Sequence, residues 1–136
     1  MKVSVIIPTL NAGPSIGKLI SVLQSQDLAP SEIIVIDSSS ADNTIPVAEA
    51  SGAKTIVIPR HAFNHGKTRN IAAMQAKGDV LVFMTQDALP IDNALIGSLT
   101  APLRHADIAA SFGRHIPRPD ATPLGICLPN DAAISA

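Results

Sequence analysis

Ile33-Ile34-Val35-Ile36-Asp37 is the stretch that decides the fold, because four β-branched apolar residues follow one another and end at an acid. An apolar run without polar alternation is typical of a strand buried on both faces of a parallel sheet. Three further runs are nearly as apolar, namely Val3 to Ile7, Thr55 to Ile58 and Val80 to Met84. Together the four runs predict four strands of one mostly parallel sheet.

Helix patterns separate these runs. Pro14 suits a first helical turn, and Ile16, Leu19, Ile20 and Leu23 follow it at the spacing of one buried stripe. Further helices are predicted at about Thr44 to Ser51 with Asp42 as N-cap and Gly52 as stop, at about Gly66 to Ala76, and from near Pro90 through Leu95, Ile96 and Leu99. Alternating strands and helices predict an α/β domain with right-handed crossovers, its sheet flanked by helices.

The pattern weakens after Leu103. Ile108 to Phe112 is a candidate further strand, and the proline-rich residues 117–123 indicate an extended loop. Residues 125–136 contain no long periodic element, which predicts an irregular tail. With 136 residues and 14.1 kDa, the chain is expected to form one domain over residues 1–124, followed by that tail.

Composition excludes several classes of protein. Apolar residues make up 46% and the formal charge is −1, so the chain is neither a disordered polyelectrolyte nor an expected nucleic-acid binder. The single cysteine, Cys127, excludes an internal disulfide framework and indicates a reduced, cytoplasmic protein. No apolar run approaches the roughly 20 residues of a membrane span. An aromatic content of 2% argues against an aromatic sugar-binding platform.

Polar residues gather directly after each predicted strand, where open parallel sheets bind their ligands. In chain order the clusters are Pro8 to Asn11, Asp37 to Asp42, His61 to Asn70 and Thr85 to Ala88. Because the carboxyl ends of parallel strands meet at one edge of a sheet, these clusters are expected to converge there.

Structural explanations compete with functional ones in each cluster. Asn11 could simply turn the chain, Asp42 could cap a helix, and Arg69 could be a solvated charge. Asp87 could cap the helix that follows it. Asp37 differs, because it ends an apolar strand without beginning a helix, and this position favours a functional role.

Motif searches narrow the chemistry. The dinucleotide fingerprint G-x-G-x-x-G and the P-loop G-x-x-x-x-G-K-[ST] are both absent after the first strand. No serine lies in a G-x-S-x-G elbow, and the four histidines lack the spacing of a zinc site. NAD binding, P-loop chemistry, covalent acyl transfer and zinc catalysis are therefore not supported.

Four motifs, taken in order, resemble family 2 glycosyltransferases, the inverting GT-A enzymes that use nucleotide-diphosphate sugars. They are Val5-Ile6-Ile7-Pro8-Thr9-Leu10-Asn11, Ile33 to Thr44, Phe63-Asn64-His65-Gly66-Lys67-Thr68-Arg69-Asn70, and Gly78 to Ala88. The fourth motif ends in Met84-Thr85-Gln86-Asp87-Ala88. The last two are similar to a rhamnosyltransferase-like branch. The resemblance covers residues 1–124 and implies the N-terminal part of a GT-A, Rossmann-like nucleotide-diphospho-sugar transferase domain.

The resemblance also implies a ligand set. Asp37 is expected to contact the base, with Arg69 beside it, and Asp87 matches the final acid of the D-x-D motif that holds Mg²⁺ or Mn²⁺ on the diphosphate. Thr85 stands where the first acid of that motif usually stands. The expected donor contacts are Pro8, Thr9, Asn11, Asp37, Ser39, His65, Arg69 and Gln86.

Two functions follow as alternatives. The first is transfer of a sugar, rhamnose or another deoxyhexose, from a dTDP- or UDP-linked donor to a saccharide acceptor. This acceptor is either a polysaccharide or a lipid-linked saccharide. The second is an inactive nucleotide-sugar-binding module, because family members continue into an acceptor half that supplies the general base. No catalytic residue is assigned here, and the chain is interpreted as truncated. Self-association through apolar surface, and a peripheral position at the inner face of the membrane, are further expectations.

Overall fold

The computed structural model describes residues 1–116, so the predicted loop at 117–123 and the tail at 125–136 lie outside the described residues. Four strands form one sheet: β1 (Val3–Thr9), β2 (Glu32–Asp37), β3 (Lys54–Val57) and β4 (Val80–Phe83). Their order is β3-β2-β1-β4, and every neighbouring pair is parallel. The predicted parallel α/β sheet is confirmed.

Helices connect the strands. They are α1 (Gly13–Gln24), α2 (Thr44–Ala50), α3 (His65–Ala73) and α4 (Leu95–Thr100), with 3₁₀ turns at Arg60–Ala62 and Pro102–Arg104. Gly52, with φ of +85°, ends the α2 region as predicted. The predicted N-cap was wrong by one residue: Asn43 holds that position, and Asp42 instead accepts the backbone N–H of Thr44 at 3.0 Å.

The sheet separates two apolar layers. On one face, Val3, Val5 and Ile7 of β1 pack with α1 and with Ile96 of α4. On the other, Ile6 packs with β2 and with Ala72 of α3. Side chains of β1 and β2 are thus buried on both faces, as their unbroken apolar runs predicted.

Two element predictions differ from the structure. Residues 108–112 form no strand, because no backbone ladder pairs them and Phe112 is 95% exposed. The fourth helix begins at Leu95 rather than near Pro90, since Asp92 accepts the N–H of Ala94 in a preceding turn at 2.9 Å. Within residues 1–116, no helix combines the length and hydropathy needed to cross a bilayer.

Candidate nucleotide site at the strand ends

The carboxyl ends of β1 and β2 are joined through side chains. Thr9 and Asp37 are register partners, and the Thr9 hydroxyl donates to Asp37 Oδ1 at 2.8 Å. Ser40 donates to the same carboxylate from its N–H, at 2.7 Å, and from its hydroxyl, at 2.5 Å. Asp37 is fully buried. Its oxygens hold the two strand ends together, and the contact of Asp37 with the base stays a prediction.

Left-handed backbone marks the loops that follow these strands. Asn11 has φ of 51° and Ser39 has φ of 57°, values that few residues other than glycine and asparagine adopt. Asn11 Oδ1 accepts the N–H of Ala41 at 2.9 Å, and the Ser39 hydroxyl donates to the carbonyl of Ile58 at 2.8 Å. Both side chains thus shape the loops, and their contact with the donor stays a prediction.

A cleft of about 240 Å³ opens where β1 and β4 end beside α3, and we call it the strand-end cleft. Five of the predicted donor contacts line it, namely Pro8, Thr9, His65, Arg69 and Gln86. Its other lining residues were not among the predicted donor contacts: Leu10, Ser38, Phe63 and Thr85 lie in the predicted strand-end clusters, and Arg60 lies outside them. Asn11, Asp37, Ser39 and Asp87 lie outside this lining.

The positive charge of the cleft comes from two arginines. Arg60 follows β3 in the first 3₁₀ turn, and Arg69 lies on α3, where its guanidinium donates to the carbonyl of His65 at 3.0 Å. Asn64 fixes the start of α3, because its side chain accepts the N–H groups of Gly66 and Lys67 at 3.1 and 3.0 Å. Among the described residues lining the cleft, none carries a carboxylate.

Aromatic rings form part of the same wall. The rings of Phe63 and His65 meet edge to face, with centroids 4.9 Å apart, a preferred geometry for such pairs. Phe63 is 40% exposed and lines the cleft beside Pro8 and Leu10. An apolar surface next to two guanidinium groups suits a ligand that combines a planar ring with an anion.

Ser38 contributes an unusual polar atom. Ser38 is 2% exposed and lines the cleft. Within the described residues, its hydroxyl oxygen has no hydrogen-bond partner. A buried hydroxyl without a partner is costly, so its presence in a cleft points to a ligand that completes the hydrogen bond. The strand-end rule placed Ser38 in the predicted cluster after β2, but Ser38 was not among the predicted donor contacts.

The segment after β4 brings side-chain oxygen atoms to the cleft that could bind a metal ion. Thr85 and Gln86 line it, and Asp87 is the next residue. Among residues 1–116 there is no group of three or more metal-ligating side chains. One carboxylate still fits Mg²⁺ or Mn²⁺, because such ions are commonly held by one or two carboxylates together with substrate phosphates.

Asp42 ties the loop after β2 to the start of α1. Its carboxylate accepts the N–H of Gly13 at 3.0 Å as well as the N–H and hydroxyl of Thr44. The hydrogen bond from the Thr44 side chain is the main cause that lowers the pKa of Asp42, with the Gly13 and Thr44 N–H groups acting in the same direction. Asp42 is thus a structural residue, as its capping interpretation suggested.

A second, larger cavity of about 660 Å³ lies along β4 and is lined by residues of the 108–113 segment. Its side chains are mostly apolar, among them Leu81, Phe83 and Leu103, and it includes Asp79 at the opposite end of β4 from Thr85. The strand-end rule and the paired arginines both favour the smaller cleft as the ligand site.

Comparison with known proteins agrees with this fold. The architecture is that of the N-terminal portion of GT-A glycosyltransferases. One similar solved structure is the glucosyl-3-phosphoglycerate synthase of Mycobacterium tuberculosis, in complex with Mn²⁺, uridine-diphosphate and glucosyl-3-phosphoglycerate. It superposes with a TM-score of 0.64 at 28% identity, and the match covers 75% of this chain and 39% of that chain. The same synthase has been solved with Mg²⁺ and uridine-diphosphate. The model of glycosyl transferase family 2 matches residues 4–124, and the chain belongs to that family.

Two relatives are O-antigen chain rhamnosyltransferases. RfbN of Salmonella typhimurium is 40% identical over 128 residues, covering 93% of this chain and 41% of its own length. WbaN of Salmonella anatum is 38% identical over 125 residues, covering 90% of this chain and 40% of its own. The chain therefore spans about two fifths of the length of these relatives, and the resemblance to a rhamnosyltransferase-like branch is confirmed.

Proposed function

We propose that the strand-end cleft binds the nucleoside diphosphate of a sugar donor, and that the chain is the donor-binding part of a transferase for rhamnose or another deoxyhexose. The observation that carries the proposal is the partnerless Ser38 hydroxyl, buried at 2% exposure in a cleft that also holds Arg60 and Arg69. The hydroxyl would bond the base, and the guanidinium groups would face the phosphates. Phe63 offers a ring on which a pyrimidine can stack.

Asp87 would hold Mg²⁺ or Mn²⁺ on the diphosphate. When bound, the cation neutralises the charge that develops on the leaving nucleoside diphosphate. In the reaction, the acceptor hydroxyl oxygen forms a bond to the anomeric carbon and gives its proton to a general base, while the bond to the diphosphate breaks and the nucleoside diphosphate leaves. The two relatives described as O-antigen chain rhamnosyltransferases support a rhamnose donor. The proposed donor is dTDP- or UDP-linked, and the proposed acceptor is a polysaccharide or a lipid-linked saccharide.

A second candidate is a nucleotide-sugar-binding module without transfer activity. The cleft lining contains no carboxylate that could take the proton from the attacking hydroxyl. This alternative predicts the same nucleotide affinity but neither transfer nor hydrolysis of the donor, which chromatography of dTDP-rhamnose incubated with the protein distinguishes.

Titration calorimetry tests the shared part of both candidates. UDP and dTDP should bind below the millimolar range, more tightly with Mn²⁺, and the absence of binding by either nucleotide would refute the proposal. Ser38→Ala should weaken binding about fivefold, the equivalent of one hydrogen bond, without lowering the unfolding temperature. Ser4→Ala is the matched control: Ser4 is also buried but has partners in Glu32 and Gly78, so its loss should destabilise the fold and leave nucleotide affinity intact.

A further inference from the structure

We propose that Gln86 is a positioning residue whose side-chain amide fixes the metal-binding segment after β4 against the nucleotide-binding end of β1. This inference rests on the proposed function. Gln86 is a predicted donor contact, and its amide pairs with both backbone groups of Leu10. Gln86 Oε1 accepts the N–H of Leu10 at 2.8 Å, and its Nε2 donates to the carbonyl of Leu10 at 3.2 Å.

The pairing continues the sheet beyond the end of β4. Register pairs between β1 and β4 run to Ile6 and Phe83, and the N–H of Met84 donates to the carbonyl of Ile6 at 3.0 Å. Beyond that point, the Gln86 side-chain amide makes the hydrogen bonds to the segment that follows β1. It therefore links segments 76 residues apart in sequence.

The other side of β1 is held independently. Ser38 donates its N–H to the carbonyl of Thr9 at 3.0 Å, and Thr9 bonds Asp37. Leu10 is consequently held in two ways: its neighbour Thr9 is bonded to β2, and Leu10 itself is bonded to Gln86. Of these attachments, the one through Gln86 leads straight to Asp87, the proposed metal ligand.

Only a primary amide satisfies both Leu10 groups. Glutamate could accept the N–H but would set an oxygen against the Leu10 carbonyl, and leucine could make neither hydrogen bond. Because the nucleotide and the cation share the diphosphate, the distance between Leu10 and Asp87 should decide how strongly each ligand tightens the other.

The experiment measures that coupling directly. UDP affinity is determined with and without Mn²⁺ in the wild type, Gln86→Leu and Gln86→Glu. We expect Mn²⁺ to strengthen UDP binding in the wild type, and this enhancement to fall about tenfold in Gln86→Leu, which exceeds any loss of metal-free UDP affinity in the same variant. Gln24→Leu is the matched control. The Gln24 side chain makes one exposed hydrogen bond, to the carbonyl of Ser51, and Gln24 does not line the cleft.

Two outcomes would overturn the inference. An unchanged Mn²⁺ enhancement in both Gln86 variants would show that the pairing does not position the metal site. An equal loss of metal-free UDP affinity would make Gln86 a ligand contact instead.

Amide hydrogen exchange separates this inference from the proposed function. The Leu10 N–H should be protected in the ligand-free wild type and exchange faster in both Gln86 variants, with the Gln24→Leu rates as reference. Fast exchange in the wild type would overturn the pairing itself. Protection at Leu10 together with no UDP binding would refute the proposed function while supporting the pairing.

Discussion

Thr9 and Asp37 are register partners at the carboxyl ends of two central strands, and the Thr9 hydroxyl donates to the buried Asp37 carboxylate at 2.8 Å. Ser40 adds two further donors. All three donors point at one carboxylate, which joins the carboxyl ends of β1 and β2.

Replacing Asp37 with asparagine should destabilise the protein by about 1–3 kcal/mol, because the asparagine NH₂ would face a buried donor. Urea unfolding at neutral pH measures the change. Asp27→Asn is the control, since Asp27 is exposed and surface changes usually remain within about 0.5 kcal/mol. Equal stability of the two variants would contradict the structural role of Asp37.

Arg69→Lys should weaken UDP binding about tenfold while leaving uridine binding unchanged. Lysine keeps the charge but lacks the planar set of donors that matches phosphate oxygens, and it cannot reproduce the bond from the guanidinium to His65. Lys67→Gln, on the exposed side of the same helix, serves as the control. A parallel loss of uridine affinity would assign Arg69 to the base instead of the phosphates.

Gly78→Ala should destabilise the fold by about 1–3 kcal/mol, the usual range for overpacking. A Cβ at Gly78 would lie 2.6 Å from the Ser4 backbone nitrogen and 2.6 Å from its hydroxyl. Gly97→Ala is the matched control: nothing lies within 4 Å of its Cβ position, so alanine in α4 should stabilise by about 0.5–1 kcal/mol. Thermal melts of the two variants should shift in opposite directions.

Acid should weaken the fold through Glu32. The Ser4 hydroxyl donates to Glu32 Oε1 at 2.6 Å, and the N–H of Lys77 donates to the same oxygen at 2.5 Å. The hydrogen bond from Ser4 is the main cause that lowers the pKa of Glu32 below its ordinary value of 4.5, followed by that from Lys77. The folded state therefore binds fewer protons than the unfolded state as the pH falls past 4.5.

The stability contributed by Glu32 is present above pH 4.5 and is lost as the pH drops through the lowered pKa of the folded state. Urea midpoints between about pH 7 and pH 3 should fall less steeply in Glu32→Gln than in the wild type. Some dependence should persist, because the pKa of Asp42 is lowered too. Parallel curves for the two proteins would show that Glu32 does not contribute.

Local pattern was sufficient to predict most of the fold. The apolar runs at Val3 to Ile7 and Ile33 to Ile36 lie within β1 and β2, because burial on both faces demands apolar side chains at successive positions. The candidate strand at Ile108 to Phe112 was wrong for a related reason: a strand also needs a partner for its backbone, and a local pattern does not reveal whether one is present.

The predictions for the site were likewise right for some residues and incomplete for others. The strand-end rule selected Thr9, His65 and Arg69, and these residues line the cleft. It missed Arg60, although that residue follows β3 closely, because the predicted cluster was begun at His61. It also favoured Asp37 over Ser38, the neighbour that lines the cleft.

The sequence by itself determined that polar residues would follow four strands at one edge of a parallel sheet. Only the tertiary structure decided that Asp37 is buried against Thr9 while Ser38 lines the cleft, and that Gln86 pairs with Leu10. The physical reason is that each choice depends on hydrogen-bond partners far away in the chain. Residue type and spacing specify how a segment is buried, whereas the register between strands specifies which polar atoms are already paired and which are left for a ligand.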